Sequence, residues 1–104
     1  VKNALEKDVE AFLVRQVRAR GWVTWKLAPT EVGIPDRIVL VPGGAVWFVE
    51  LKRARGGRLS ERQKYVLRVL ERGGHAWCVL AGVEEVKKWL DERDKERASE
   101  IDRD

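Results

Sequence analysis

Three residues in this chain have types and spacing suited to hydrolysis: Asp36, Glu50 and Lys52. They sit at the two ends of an apolar stretch, Arg37-Ile38-Val39-Leu40-Val41 and Ala45-Val46-Trp47-Phe48-Val49, interrupted by Pro42-Gly43-Gly44. Both runs favour extended structure and the interruption is a turn signal, so the segment reads as a hairpin. A three-residue loop, a type I turn led by Pro42 with Gly44 in the left-handed position, is a common connection of this kind. It sets Val41 against Ala45 and, counting outward, Asp36 against Glu50. Residues facing each other this way have Cβ atoms about 4.5–5.5 Å apart. Side chains alternate along a strand, so Lys52 shares the face of Glu50 while Leu51 points away. Two carboxylates at that separation repel unless something positive lies between them. A hard cation such as Mg²⁺ meets the need, since it takes oxygen ligands and keeps several waters for chemistry. Lys52 adds an ammonium beside the place where a water bound to that ion would attack. The plainer alternative is a Glu–Lys pair at a strand end with Asp36 merely opening its strand. The full set in register favours the metal site.

The elements that must position these residues follow from the pattern along the chain. Asn3 to about Arg20 is predicted as a helix, with Leu5, Val9, Phe12, Leu13 and Val17 spaced to bury one face, and Gly21 ends it. Trp22 to Leu27 is predicted as a strand with Val23, Trp25 and Leu27 on one side, and 28–35 as a loop marked by Pro29, Gly33 and Pro35. The hairpin strands, about 36–41 and 45–52, are apolar on both faces and belong in the centre of a sheet. Arg53 to Leu59 is a basic loop containing Gly56-Gly57. Ser60 opens a second helix with Val66, Leu67 and Leu70 as its apolar face, closed by Gly73-Gly74; His75 to Leu80 is a last strand. Gly82 precedes a third helix bearing Val83, Val86, Trp89 and Leu90. A helix between the third and fourth strands suits a crossover, which gives a mixed sheet with helices on both faces. Trp25, Trp47 and Trp77 are expected in the core; Trp22 and Trp89 are the two tryptophans with some prospect of exposure.

Pro35-Asp36 followed by Glu50-Leu51-Lys52 resembles the PD-(D/E)XK nuclease signature. The longer pattern resembles the VRR-NUC branch of those nucleases: Gly33-Ile34-Pro35-Asp36-Arg37, then Phe48-Val49-Glu50-Leu51-Lys52, then Leu59-Ser60-Glu61-Arg62-Gln63. The likeness spans roughly residues 4 to 90. It implies an α/β fold with a restriction-endonuclease-like αβββαβ core, a mixed four-stranded sheet flanked by helices, plus a C-terminal helix. It also implies that Asp36 and Glu50 hold Mg²⁺ or Mn²⁺ with help from the Leu51 carbonyl, and that Lys52 positions or activates the attacking water. A glutamate on the first helix and a glutamine opening the next would complete the site. Stand-alone relatives of about this size are homodimeric phage and bacterial enzymes that cut branched DNA, four-way (Holliday) junctions included.

Two of those supporting roles have plainer readings. Glu6 is the helix carboxylate by resemblance, and would share in metal binding. It also fits a capping box with Asn3, and Glu10 is its rival for the functional role. Gln63 is the third helical residue of Ser60-Glu61-Arg62-Gln63, itself a capping box. It nevertheless shares the helix face of Val66, Leu67 and Leu70, so its amide turns inward and needs partners, for which a site carboxylate or a water would serve.

A chain of 104 residues makes one domain. We divide it into a nuclease-like domain over 1–90 and a charged extension over 91–104. Hydrophobic content of 44% with five Trp argues for a folded globule, and no run approaches a membrane span. No signal-peptide pattern opens the chain, so cytoplasmic placement is expected, and the resemblance implies a bacterial or phage-infected cell. The lone Cys78 and lone His75 exclude disulfide, Cys-zinc and His-metal sites built within the chain. No small-molecule cofactor is called for. The net charge is +4, but 91–104 holds seven acids against four bases, which leaves +7 on 1–90. The bases gather in Lys52, Arg53, Arg55, Arg58, Arg62, Lys64 and Arg68, with Glu61 the sole acid among them. Such a stripe is the footprint of nucleic-acid binding. Beside a metal site, it makes Arg53, Arg55, Arg58, Arg62 and Lys64 candidate DNA contacts.

Overall fold

The computed structural model describes residues 4–102. Seven elements follow in order: α1 (Glu6–Ala19), β1 (Val23–Lys26), β2 (Arg37–Val41), β3 (Ala45–Lys52), α2 (Glu61–Arg72), β4 (Ala76–Ala81) and α3 (Val83–Asp102). The strands lie in the order β1-β2-β3-β4. The first three are antiparallel; β4 runs parallel to β3 after the crossover through α2. This is the α/β architecture expected, a mixed four-stranded sheet with helices on both faces.

The hairpin register decides everything about the site. Val41 pairs with Ala45 and Arg37 with Val49, so the next position outward sets Asp36 opposite Glu50. The turn itself differs in type from the expectation. Gly43 as well as Gly44 has positive φ, at 102° and 100°, which makes Pro42-Gly43 a type II corner. Proline in the first and glycine in the second central position select that geometry. Loop length sets the pairing, so the register is unaffected.

One face of the sheet carries the main core. Val9, Leu13 and Val17 of α1 and Val86, Trp89 and Leu90 of α3 pack with Val39, Val41, Val49, Leu51 and Leu80. Each fully buried side chain of this size stabilises by roughly 1.5–3 kcal/mol. Strand alternation then puts Glu50 and Lys52 on the opposite face. There α2 lies against β4, with Leu67 as its buried residue.

Strand β1 turns the other way from the expectation. Thr24 is the buried residue, while Val23 and Trp25 are 41% and 58% exposed. Polar bonding on the α1 side explains the reversal. Thr24 Oγ1 donates to the Ile38 carbonyl at 2.8 Å and accepts from Arg37 Nε at 3.1 Å, and Arg37 Nη1 donates to Glu10 Oε2 at 2.9 Å. Arg37 is itself buried, so turning Thr24 outward would strip a partner from a buried guanidinium. The other two strand tryptophans are half-buried. Trp47 meets Trp89 edge to face at 5.5 Å, and Trp77 Nε1 donates to Glu71 at 2.7 Å. Trp22 is partly buried against the core and Trp89 is fully inside.

The helix ends also differ in detail. Asn3 lies outside the described residues, so its part in a cap with Glu6 falls there too. The N-cap position is Leu5, whose amide donates to Asp8 Oδ2 at 3.1 Å. Asp8 therefore does the capping, and Glu6 is free for other work. At the far end α3 continues through the charged segment. Arg93 stacks over Trp47 at 4.6 Å, and Asp94 pairs with Arg20 at 2.9 Å.

Removing Glu10 should therefore damage the fold. Glu10→Ala removes the carboxylate that Arg37 donates to and is expected to cost about 1.5–3 kcal/mol, read as a drop in melting temperature. Glu6→Ala, at an exposed position, should leave melting nearly unchanged. Equal melting of the two variants would refute this division of roles.

Candidate active site

Asp36, Glu50, Lys52, Gln63 and Glu6 converge at the open end of the hairpin, each brought there by a different constraint. Asp36 stands immediately before β2, where its carbonyl accepts from the Leu27 amide at 2.9 Å. Its carboxylate reaches across to β3, and Oδ2 accepts the Leu51 amide at 2.8 Å. Glu50 is 2% exposed. Burial, then the adjoining Asp36 carboxylate, push Glu50 up to about 8, against the pull of the Lys52 ammonium. A pair held this way, partly out of water and at close quarters, is stabilised by positive charge between its members.

Lys52 closes the group on one side. Its Nζ lies 3.6 Å from Glu50 Oε2 and 3.6 Å from Glu6 Oε1, so the first helix reaches the site through the lysine. Behind it, the Gly82 amide donates to the Lys52 carbonyl at 2.8 Å, which ties the end of β3 to the end of β4. Glu6 and Glu10 differ in their surroundings. Glu6 meets Lys52, whereas Glu10 is engaged by Arg37 and by Lys26 at 3.5 Å.

Gln63 closes the other side and carries both of its anticipated roles at once. Its backbone amide donates to Ser60 Oγ at 3.0 Å and its Oε1 accepts the Ser60 amide at 2.8 Å. The remaining end of the side chain, Nε2, donates to Glu50 Oε2 at 3.1 Å. The cap orients the amide: with the oxygen committed to an N–H, only the NH₂ can face the acid.

Among the described residues, no three His, Cys, Asp or Glu side chains form a group that could hold a metal ion. The anionic donors facing one another are two, Asp36 and Glu50. Mg²⁺ fits such a pair, because it is commonly bound through one or two carboxylates with water filling the remaining positions. Leu51 is seen contributing its amide, to Asp36, which the sequence offered no means of anticipating. Backbone donors carry no residue-type signal.

The basic candidates divide by surroundings. Arg53, Arg55 and Arg58 are exposed on the loop after β3. Arg62 donates from Nε to the Val32 carbonyl at 3.2 Å and lies 4.7 Å over the Tyr65 ring, and Lys64 pairs with Glu61 at 3.2 Å. Arg53 and Arg58 line a cleft of about 620 Å³ with Lys7 and Lys52 beside Glu6.

A mixed sheet with an acid opening one hairpin strand and an acid-x-lysine closing the other is the arrangement that the resemblance to PD-(D/E)XK nucleases implies. A solved structure described as a VRR_NUC domain is similar to this chain, with TM-score 0.76 and 26% identity, over 85% of this chain and 97% of that one. A protein of Acyrthosiphon pisum secondary endosymbiont phage 1, described as "Putative nuclease p44", is 42% identical over 48 residues. That match takes in 45% of this chain and 52% of the phage protein, so the chain spans about half the length of the curated relative it matches. No family model matches the chain. Together these similarities support a VRR-NUC-like fold of the PD-(D/E)XK nuclease type.

The double duty of Gln63 can be separated by experiment. Gln63→Ala is expected to cost about 1 kcal/mol through the lost cap and to slow turnover at least tenfold, on the order of one missing site hydrogen bond. A melting shift with turnover unchanged would reduce Gln63 to a cap.

Proposed function

We propose that the protein is a metal-dependent endonuclease that hydrolyses phosphodiester bonds in DNA, acting on branched DNA such as four-way junctions as a homodimer. The observation that carries the reading is the facing pair Asp36 and Glu50, with Lys52 and Gln63 on either side of Glu50. A site for inert structural purposes has no use for two carboxylates crowded together beside a basic surface.

Mg²⁺ or Mn²⁺ would be held by Asp36 and Glu50, with the Leu51 carbonyl assisting, and supplies Lewis acidity and positive charge for the reacting phosphate. The remaining work falls to the chain. The Leu51 amide and Gln63 fix the two carboxylates so that little reorganisation is needed when substrate arrives. Lys52 places its ammonium where negative charge builds on the phosphate and where an attacking water can be oriented. Glu6 holds that ammonium against drifting toward solvent, and is the helix carboxylate that would share in metal binding. Arg53, Arg55 and Arg58 contact backbone phosphates, as their exposure and fork-shaped guanidinium groups suit them to do; Arg62 and Lys64 flank them. Cutting two strands of one junction takes two sites, and each chain holds one, which favours a pair of chains. No helix among the described residues is long and apolar enough to cross a membrane, and we expect the protein to act in the cytoplasm of a bacterial or phage-infected cell.

Asp36→Ala and Glu50→Ala should each abolish cleavage while DNA binding persists. The assay is incubation with four-way junction, flap and linear duplex, with and without Mg²⁺ or Mn²⁺; cutting by either variant at near wild-type rate sinks the assignment. Sedimentation at micromolar concentration should report a dimer, and a monomer would count against junction cutting. Replacing Arg53, Arg55 and Arg58 together should weaken binding across all sequences and flatten its salt dependence by roughly 0.9 in slope per lost phosphate contact. An unchanged slope would remove these arginines from the interface.

A further inference from the structure

Two clefts of opposite character flank the acidic pair, one lined by Lys52 and the other by Asp36. The larger, on the side of Lys52, is lined by Lys7, Lys52, Arg53 and Arg58 with Glu6 as its acid, and is chemically a phosphate cleft. The smaller, of about 350 Å³, passes Asp36 and Gln63 on the other side. Its apolar walls are Leu27, Pro29, Val32, Ile34 and Pro35, and its charged members are one base, Lys26, against two acids, Glu31 and Asp36. Lys26 is in addition paired with Glu10. A cavity of that size, mostly apolar with a few polar groups along one wall, takes a small flat ligand and has little to offer a phosphate.

The rim of the smaller cleft is held rigidly. Val32 is 74% exposed, above any other large hydrophobic residue described. An exposed apolar side chain alone carries no message, but this one is braced from behind. Arg62 Nε donates to the Val32 carbonyl at 3.2 Å. Gly33 lies so close to α2 that a Cβ built there would come within 2.8 Å of the Arg62 carbonyl carbon and oxygen. Backbone meets backbone, and only glycine fits. Gly33 also has φ of 91°, which favours the same residue. Arg62 is steadied in turn by the Tyr65 ring. The first turn of α2 thus holds both Gln63 against Glu50 and Val32 at the mouth of the cleft.

We infer that this cleft is a base subsite: it receives the nucleobase of an unpaired nucleotide next to the scissile phosphate, and Val32 is the wedge that keeps that base apart from its neighbour. The inference rests on the nuclease reading above and deepens it by naming what the site recognises. A strand whose phosphate lies at Asp36 and Glu50 must leave toward one cleft or the other. The basic cleft attracts its phosphates, and the mostly apolar one, with acids in excess of bases, repels them and suits a base. A base held in a duplex stack cannot enter, whereas one at a branch or bulge pays little to do so, which turns pocket entry into a preference for DNA structure. Apolar side chains inserted between bases serve this purpose in other DNA-binding proteins.

Val32→Ser tests the wedge at a position exposed enough to leave the fold intact, checked by an unchanged melting temperature. The ratio of cleavage rates on duplex with one unpaired nucleotide to those on linear duplex should fall about tenfold, the scale of a lost small apolar contact, and Val32→Leu should restore it. A second measurement needs no turnover. Glu50→Gln protein bound to duplex carrying one unpaired 2-aminopurine should raise its fluorescence as the base leaves the stack, and adding Val32→Ser should abolish that rise. An unaltered ratio in Val32→Ser, or a fluorescence rise that survives it, overturns the subsite while leaving the nuclease reading in place. Failure of the unmodified protein to cut any DNA with Mg²⁺ or Mn²⁺ would overturn both.

Discussion

The hydrogen bond from the Leu51 amide to Asp36 is the contact on which the rest of this site depends. It spans the hairpin from the residue just outside one strand to the last turn of pairing on the other. Without it, Asp36 would be a loop residue with a mobile carboxylate. With it, Asp36 is held beside Glu50, and two acids occupy a space that electrostatics alone would keep them out of. Burial and that neighbour push the Glu50 carboxyl up to about 8. Lys52 and Gln63 offset part of that cost from either side, one with a charge and the other with an oriented N–H.

A single helical turn, the first of α2, joins the site to its surroundings. Ser60 and Gln63 cap each other, Gln63 holds Glu50, and Arg62 holds the loop that leads into Asp36. The capping box is usually a device for helix stability. Here its reciprocal hydrogen bonds also choose which end of an amide faces an acid, so local stability and site chemistry share the same atoms.

The two faces of the sheet divide the labour. The face under α1 and α3 is densely apolar and contains the Glu10, Arg37 and Thr24 cluster as its one buried polar feature near the site. The face under α2 holds the acids at one end, leaves Val23 and Val46 exposed at the other, and leaves Trp25 exposed between them. One helix lying along β4 cannot cover a four-stranded sheet. The two glutamates of α1, four residues apart, end up in different worlds for the same reason. Glu10 points at a buried arginine, and Glu6, one turn nearer the helix start, reaches around to the lysine of the site.

Much of this could be read from residues in order. A proline and two glycines between β-forming runs define a three-residue loop, and a fixed period of two then dictates which acids face each other; even the wrong turn type leaves that pairing intact. Ser60 through Gln63 announces its own cap. Helix spacing identifies Val9, Leu13 and Val17 as core. What the order of residues left open was decided by packing between elements distant in sequence. Alternation in β1 marks two faces but not which is inside, and the choice fell to Thr24 because Arg37 and Ile38 offered it partners. Glu6 and Glu10 have the same chemistry on one helix, and only the positions of Lys52 and Arg37 tell them apart. Local geometry is written in short-range sterics and hydrogen bonds, which neighbours in the chain control; a side chain's partner depends on where the whole sheet sets the other strand.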